Sequence, residues 1–256
     1  MDIDNKYGTL AEQKNILPIL KDFDDFCLAN DIKYSIDCGT LLGVIRHQGF
    51  VPWDDDIDFS IARSHLNKLI NAIDDSEKLT LVKDLWFYRV TYKQGMCPDN
   101  CYKTPEVTLF VFDNAYENKL LQKLKVIRLL AFQQLFKERP AKTVRPFTAW
   151  VRLFVGWFLG LPFSYEWKFR HFNKACTTGS GNSGLVSCYG YWPRDLKIIH
   201  KSDILDRLHR REFEGISVFV MDDYDEHLTA LYGDYMTPPS EKNRKTTHRS
   251  DQDWSN

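Results

Sequence analysis

Four aspartates stand within five positions at 54–58 and open an alternation of acidic and apolar residues. Side chains alternate between the two faces of a β-strand, so Asp56 and Asp58 point one way while Ile57 and Phe59 point the other. Neighbouring positions on one face lie about 6.6–7 Å apart, within reach of a shared hard cation and its bridging waters. The pattern therefore predicts a strand with one packed face and one metal-binding face.

A glycine followed by a hydroxyl residue precedes these aspartates. Gly39 and Thr40 are predicted to form a sharp turn, with exposed backbone N–H groups, before a short helix over 41–46. The N-terminus of such a helix favours an anion. Arg46 and His47 follow, and these side chains can clamp phosphate oxygens or carry a proton. Turn, basic pair and acids together indicate metal-assisted phosphoryl chemistry.

The composition is that of a globular protein. The chain has 256 residues, 43% hydrophobic and 27% charged, which excludes bulk disorder and allows one large domain or two small ones. The six cysteines include no Cys-x-x-Cys pair, so we expect reduced thiols, with Cys97 and Cys101 as loop thiols in preference to a zinc pair. The acidic N-terminus lacks an apolar signal region, and the predicted location is the cytoplasm.

The net charge of −1 hides a basic section at 119–174, which holds twelve Lys or Arg and two acidic residues. Tryptophans are spread through the same section. Two interpretations are open: a surface that contacts anionic lipid, or a helical subdomain whose apolar faces pack on the core. The section contains no recognisable nucleic-acid module, so nucleic acid is not an expected partner. The apolar run at 147–163 is shorter than the roughly 20 residues of a membrane span.

Periodicity and turn residues predict an α+β chain. The predicted helices lie at 10–30, 41–46, 119–137 and 223–232, with one more after Ser64, and the predicted strands at 32–37, 57–62, 79–92 (one or two), 107–113, 185–191 and 212–220.

These residues carry a family resemblance. The stretch GTLLGVIRHQGFVPWDDDIDFSIAR at 39–63 resembles the signature of the LicD family, which includes bacterial phosphorylcholine transferases and is similar to the fukutin-related proteins. The ending at 211–248, REFEGISVFVMDDYDEHLTALYGDYMTPPSEKNRKTTH, resembles the closing elements of that family. The resemblance covers roughly residues 10 to 248.

The resemblance implies a nucleotidyltransferase-like mixed sheet in a single domain over 1–256, with an additional helical section at about 116–175. It also assigns site residues. Gly39 and Thr40 match the turn. Asp56 and Asp58 match the Mg²⁺ (or Mn²⁺) ligands and catalytic acids, with Asp54 and Asp55 as supporting acids. Arg244 and His248 match a closing pair that binds phosphate.

The chain departs from the family at the third acid. LicD relatives show an Asp-Ile-Phe-Pro-x-Asp run on a later strand, where this chain has Thr108 at the first position and Asp113 at the last. Asp113 is therefore the predicted catalytic base, with Asp56, Asp58 or another group as the alternative.

The implied function is Mg²⁺-dependent transfer of a phosphorylated alcohol, phosphocholine from CDP-choline, to a hydroxyl of a cell-envelope or lipid-linked glycan. Such acceptors include teichoic acid, capsular polysaccharide and lipopolysaccharide. They add a second predicted location to the cytoplasm, at the inner face of the cell membrane. Two alternatives are open: a nucleotidyltransferase that releases pyrophosphate, and a membrane-associated pseudoenzyme, which the threonine at 108 favours. The head group, whether choline, ribitol or glycerol, is left open.

Overall fold

The computed structural model describes residues 6–98, 101–136, 147–179 and 183–244, except for the side chains of 147–150 and 152. The described helices are α1 (Leu10–Ala29), α2 (Cys38–Arg46), α3 (Arg63–Ile73), α4 (Lys119–Leu135), α5 (Phe147–Gly160), α6 (Tyr165–Thr177) and α7 (Tyr224–Tyr232). The described strands are β1 (Ser35–Ile36), β2 (Asp58–Ala62), β3 (Leu79–Asp84), β4 (Phe87–Tyr92), β5 (Glu106–Asn114), β6 (Leu185–Cys188), β7 (His200–Lys201), β8 (Leu208–Phe213) and β9 (Ile216–Met221).

One mixed sheet organises these elements. Its strand order is β1-β2-β5-β4-β3, with β6 paired to the end of β5 and β7 paired to β6. The β2–β5 pair is parallel and aligns Asp58 with Thr108, whereas the other pairs of this sheet are antiparallel. The hairpin β8–β9 forms a separate two-stranded sheet. The expected α+β class is confirmed; the assignment to a single domain stays a prediction.

The two faces of the sheet differ in what covers them. On one face, Phe23 of α1 lies 4.9 Å from Phe59, measured between ring centroids, and Phe169 of α6 lies 5.1 Å from Tyr88. The other face carries Asp58, Ser60 and their neighbours on β5, beneath α2 and α7. The apolar residues predicted between the aspartates are thus buried in the core, and the acids lie opposite them.

Several predicted elements are confirmed. The first helix runs through Pro18 without a break, the 79–92 segment is the hairpin β3–β4, and α7 ends at Gly233, whose φ of 71° suits glycine.

The prediction of a single strand over 212–220 was wrong. Two strands, β8 and β9, meet there at a turn where Glu214 and Gly215 both have positive φ. The two strands pair with each other from Leu208 and Met221 to Phe213 and Ile216.

The short second helix begins earlier than predicted. It starts at Cys38 because the side chain of Asp37 accepts a hydrogen bond from the Cys38 N–H at 2.6 Å and thereby caps the helix. Gly39 and Thr40 consequently lie in the first helical turn, and the prediction of a separate turn ahead of Leu41 was wrong. The substrate-binding role predicted for Gly39 and Thr40 stays a prediction.

Candidate active site

The first turn of α2 is bound directly to the start of β2. The backbone N–H of Asp58 donates to Thr40 Oγ1 at 3.0 Å, and the N–H of Asp37 donates to the Asp58 carbonyl at 2.8 Å. Thr40 is buried, so its hydroxyl fixes the strand. The structure therefore brings together the glycine–threonine pair and the aspartate strand, which sequence reasoning had joined only by their order.

Three half-buried carboxylates, Asp54, Asp56 and Asp58, form what we call the acid cluster. Asp54 lies against Gly39, where an added Cβ would stand only 2.0 Å from Asp54 Oδ2. Burial, the charge of Asp56 and a hydrogen bond with it raise the pKa of Asp54 well above its usual range. Burial and the charges of Asp56 and Asp54 likewise raise the pKa of Asp58. Crowded like charges of this kind are stabilised by a bound cation.

The donor set of the acid cluster fits the predicted ion. Carboxylate oxygens are hard ligands, and Mg²⁺ commonly takes one or two of them together with substrate phosphates. Within the described ranges, no group of three His, Cys, Asp or Glu residues is arranged to hold a metal by itself. Asp56 and Asp58 would be the protein ligands of that metal.

A row of side-chain positions crosses the sheet beside the acid cluster. Asp58 on β2 pairs with Thr108 on β5, and Thr108 pairs with Arg89 on β4. Thr108 thus stands next to Asp58, at the position where the resemblance implies a third acid. Arg89 forms ion pairs with Asp84 (2.8 Å) and Glu106 (2.5 Å), and its charge opposes the rise in the pKa of Asp58. Sequence reasoning missed Arg89, which no motif marks.

Asp113 lies elsewhere. It is five residues beyond Thr108 along β5, about 16 Å at strand spacing, and it faces the opposite side of the sheet. Its carboxylate is buried and accepts two hydrogen bonds from Arg63, from Nε at 2.8 Å and from Nη2 at 2.6 Å. The structure does not bring Asp113 to the acid cluster, so the geometry does not support the predicted base.

A basic and aromatic pocket lies at the other end of α2. The Arg46 guanidinium donates to the Tyr235 carbonyl at 2.5 Å, and Arg244 stacks over the Trp53 ring at 5.2 Å. Burial and the charges of Arg46 and Arg244 lower the pKa of His47. Three predicted phosphate contacts thus converge. The cavity, which we call the basic pocket, measures about 290 Å³ and is lined by Lys6, Tyr7, His47, Pro52, Trp53, Pro238 and Arg244.

The basic pocket and the acid cluster are neighbours. Trp53 lines the pocket and directly precedes Asp54, while α2 joins Gly39 to His47 over about 12 Å. A nucleoside diphosphate is long enough to span this distance. His248, the other member of the predicted closing pair, lies outside the described residues.

A buried hydrogen-bond network supports the acid cluster from below. Asp37 accepts hydrogen bonds from Ser60, Tyr191 and His227, the last between Nε2 and Oδ1 at 2.6 Å. His227 Nδ1 lies 3.1 Å from His200 Nε2. Burial acts to raise the pKa of Asp37, but these partners lower it overall. Sequence reasoning missed this network because Asp37 and His227 are 190 residues apart.

Comparison with known proteins agrees with this architecture. The LicD/FKTN/FKRP nucleotidyltransferase domain model matches residues 31–164. The chain is 27% identical over 94% of its length to the lipopolysaccharide cholinephosphotransferase LicD of Haemophilus influenzae, of which the match covers 96%. Uncharacterized proteins of Rickettsia prowazekii and Rickettsia typhi match shorter parts, at 34% identity over 34% of this chain and 31% of theirs, and at 42% over 23% and 20%.

The family match contains α2, the acid cluster and Thr108, and the Haemophilus match extends over nearly the whole chain. The resemblance drawn from the sequence is confirmed. The chain belongs to the LicD family of transferases and carries the nucleotidyltransferase domain of that family.

Proposed function

We propose that this protein transfers phosphocholine from CDP-choline to a hydroxyl of a cell-envelope glycan in a Mg²⁺-dependent reaction. The acceptor oxygen bonds to the distal phosphorus, the bond from that phosphorus to the bridging oxygen breaks, and CMP leaves with the electron pair. A full-length relative that acts as a lipopolysaccharide cholinephosphotransferase supports the head group and the glycan acceptor. An acceptor carried on lipid would bring the reaction to the inner face of the cell membrane.

The residues of the site divide the work. Asp56 and Asp58 hold the metal, and Thr40 keeps the strand that carries them in place. His47 and Arg244 bind the donor phosphates, Arg46 stiffens the pocket through Tyr235, and Trp53 offers an aromatic surface. A carboxylate of the acid cluster accepts the proton of the acceptor hydroxyl, since Asp113 is bound by Arg63 on the other face. When bound, the metal offsets the charge that develops on the phosphoryl oxygens.

The observation that carries this proposal is the pairing of opposite charges along α2. Crowded carboxylates at its first turn favour a bound cation, and clustered basic groups at its last turn favour a bound anion. A metal-bound diphosphate supplies both at once. A site for an anion alone or for a cation alone would not explain why the acid cluster and the basic pocket lie about one donor length apart.

Product analysis tests the proposal. The full chain is incubated with Mg²⁺, a CDP-alcohol and a lipopolysaccharide-type oligosaccharide, and CMP release and glycan mass are followed by mass spectrometry. We expect CMP and a glycan heavier by one phosphocholine with CDP-choline, and less product with CDP-ribitol or CDP-glycerol. EDTA abolishes the reaction and added Mg²⁺ or Mn²⁺ restores it.

Two results would overturn the proposal. Pyrophosphate release from a nucleoside triphosphate, without CMP release from CDP-choline, would identify a nucleotidyltransferase. If Asp58→Asn leaves glycan modification in cells unchanged, the chain acts without catalysis, as the threonine at 108 would allow. The matched control is Asp25→Asn, an exposed aspartate on α1 that pairs with Lys21.

A further inference from the structure

The fourth helix buries three polar residues and exposes four large apolar ones. Its buried residues are Gln122, Lys125, Leu129 and Gln133, whereas Leu120, Leu121, Leu124 and Ile127 are exposed. The side chain of Leu120 is 65% exposed and that of Leu124 53%. We propose that the outer face of α4 and α5 docks on the surface of an anionic lipid bilayer. The alternative drawn from the sequence, in which apolar faces pack on the core, holds for Leu129 and its partly buried neighbours, whereas Leu120 and Leu124 do not pack there.

The orientation of α4 is fixed by the polar residues that it buries. Lys125 Nζ donates to the carbonyls of Asn114 at 2.7 Å and Cys176 at 2.6 Å. Gln122 accepts from the Tyr116 N–H at 2.9 Å. Rotating the helix to bury its exposed leucines would take the Lys125 ammonium away from these carbonyls and leave them without that donor, which is costly. The exposed apolar face is therefore a stable property of the fold.

Helix α5 packs against α4 and exposes apolar residues of its own. Gly156 and Gly160 form its contact with α4, where an added Cβ would lie 2.6 Å from Gln134 Cβ and 2.4 Å from the Leu135 carbonyl oxygen. The side of α5 away from these glycines is apolar and exposed, as in Phe158 at 59%. The combined surface, which we call the apolar ridge, consists of Leu120, Leu121, Leu124, Ile127, Val151, Val155, Phe158, Leu159 and Leu161.

Charge complementarity identifies the occupant as anionic lipid. Exposed Lys119, Lys123 and Arg128 stand on α4 beside the apolar ridge, within a section of twelve basic and two acidic residues at 119–174. Lys and Arg next to an inserted apolar face are attracted to anionic headgroups. A second copy of the chain would place two such basic sections against each other, and their repulsion opposes self-association.

The ridge lies on the bilayer and does not cross it. In the part of the chain that the structure describes, no helix has the length and apolar character of a membrane span. An interfacial helix buries its apolar face among the headgroups and keeps its polar side in water. In α4 that polar side faces the protein, so the helix joins the bilayer to the folded domain.

Vesicle flotation tests the inference without donor or acceptor, so its outcome is independent of the proposed function. The full chain is mixed with phosphatidylcholine vesicles, with and without about 30 mol % phosphatidylglycerol. We expect binding to the anionic vesicles that weakens with added salt. The double variant Leu124→Glu/Phe158→Glu should lower the partition coefficient at least about tenfold. Leu28→Glu is the matched control, since Leu28 is a helical leucine with 51% exposure on α1.

The charge component has its own variant. Lys123→Gln/Arg128→Gln should weaken binding to anionic vesicles by about tenfold or more and leave binding to neutral vesicles unchanged. Lys14→Gln, an exposed lysine on α1, should have no effect. All the substituted side chains are exposed, so we expect each variant to fold. Circular dichroism melts check this.

Three outcomes would overturn the inference. The wild-type chain fails to float with anionic vesicles, or the double variant floats as well as the wild type, or Leu28→Glu weakens binding equally. Sedimentation without lipid addresses the remaining occupant. A wild-type dimer that the double variant converts to monomer would show that a second copy covers the apolar ridge.

Discussion

Two carboxylates on the central sheet, Asp58 and Asp113, lie on opposite faces and in opposite electrostatic surroundings. Asp113 is buried and is held by two hydrogen bonds from Arg63. Asp58 is half-buried beside Asp54 and Asp56, whose charges raise its pKa. A compensated carboxylate stabilises a fold, whereas a cluster of like charges costs stability unless a ligand binds. The comparison separates a structural acid from a ligand-binding one, although both are aspartates on neighbouring strands.

The largest expected effect is on catalysis at the acid cluster. Asp58→Asn should lower the rate of phosphocholine transfer about a thousandfold, because metal binding supplies several kcal/mol of charge stabilisation. The same variant should keep or raise the melting temperature of the metal-free protein, since it removes repulsion from Asp54 and Asp56. Transfer assays and thermal melts measure the two effects. A destabilised Asp58→Asn protein would mean that the carboxylate serves the fold.

Asp113→Asn should show the reverse. Removing one partner of the Arg63 pair leaves a largely buried guanidinium uncompensated, at a cost of about 3–4 kcal/mol in the free energy of unfolding. Transfer activity per folded molecule should stay near that of the wild type. Denaturant unfolding measures the loss, and Arg63→Met/Asp113→Asn is the control that should recover much of it. A large fall in activity in a stable Asp113→Asn protein would restore Asp113 as the base.

The buried network at Asp37 provides an intermediate case. It lies on the face of the acid cluster but is compensated, as Asp113 is. Burial and the electrostatic effect of the nearby His227 lower the pKa of His200 to about 4, and the charge of Asp37 opposes this shift only in part. The unfolded chain then binds a proton that the folded one does not, so stability falls as the pH drops from the unfolded value near 6.5 toward 4.

The free energy of unfolding should therefore fall by about 2 kcal/mol between pH 7.5 and pH 5 through His200 alone. Denaturant unfolding of wild type and His200→Gln at both pH values isolates this contribution from that of the other titrating groups. His65→Gln is the comparison, because burial also lowers the pKa of His65 but this residue is only half-buried on α3, so its contribution should have the same sign and be smaller. Equal losses in wild type and His200→Gln would show that His200 is charged in the folded protein.

Local pattern predicted part of this molecule. The alternation at 56–59 placed Asp58 opposite Phe59, and the turn residues placed the end of α7 at Gly233. The start of α2 was missed because it depends on which group caps Cys38. The periodicity of α4 gave the helix and its apolar face but not its orientation. That orientation depends on Lys125 bonding to carbonyls of β5 and α6, which no local pattern encodes.

Separation along the sequence explains why the acid cluster was predictable and its surroundings were not. Its carboxylates are close in sequence, so strand geometry alone brings them together. Arg63, His200 and His227 reach their partners only through the tertiary fold, across 50 residues in the case of Arg63 and Asp113. A carboxylate that is paired with a cation and one that is not therefore look alike in sequence. For this reason the sequence could not show that Asp113 pairs with Arg63 and lies away from the acid cluster.

The smallest expected effect lies in the basic pocket. Arg244→Gln removes a cation that stacks on Trp53 beside His47, and it should raise the KM for the CDP-alcohol about tenfold, or about 1.4 kcal/mol. The kcat should change little, because the contact is made equally before and during transfer. Arg194→Gln, at an exposed arginine that pairs with Asp195, should leave both constants unchanged. A fall in kcat with an unchanged KM would contradict this prediction. It would mean that Arg244 stabilises the transferred phosphoryl group beside the acid cluster and does not serve donor binding.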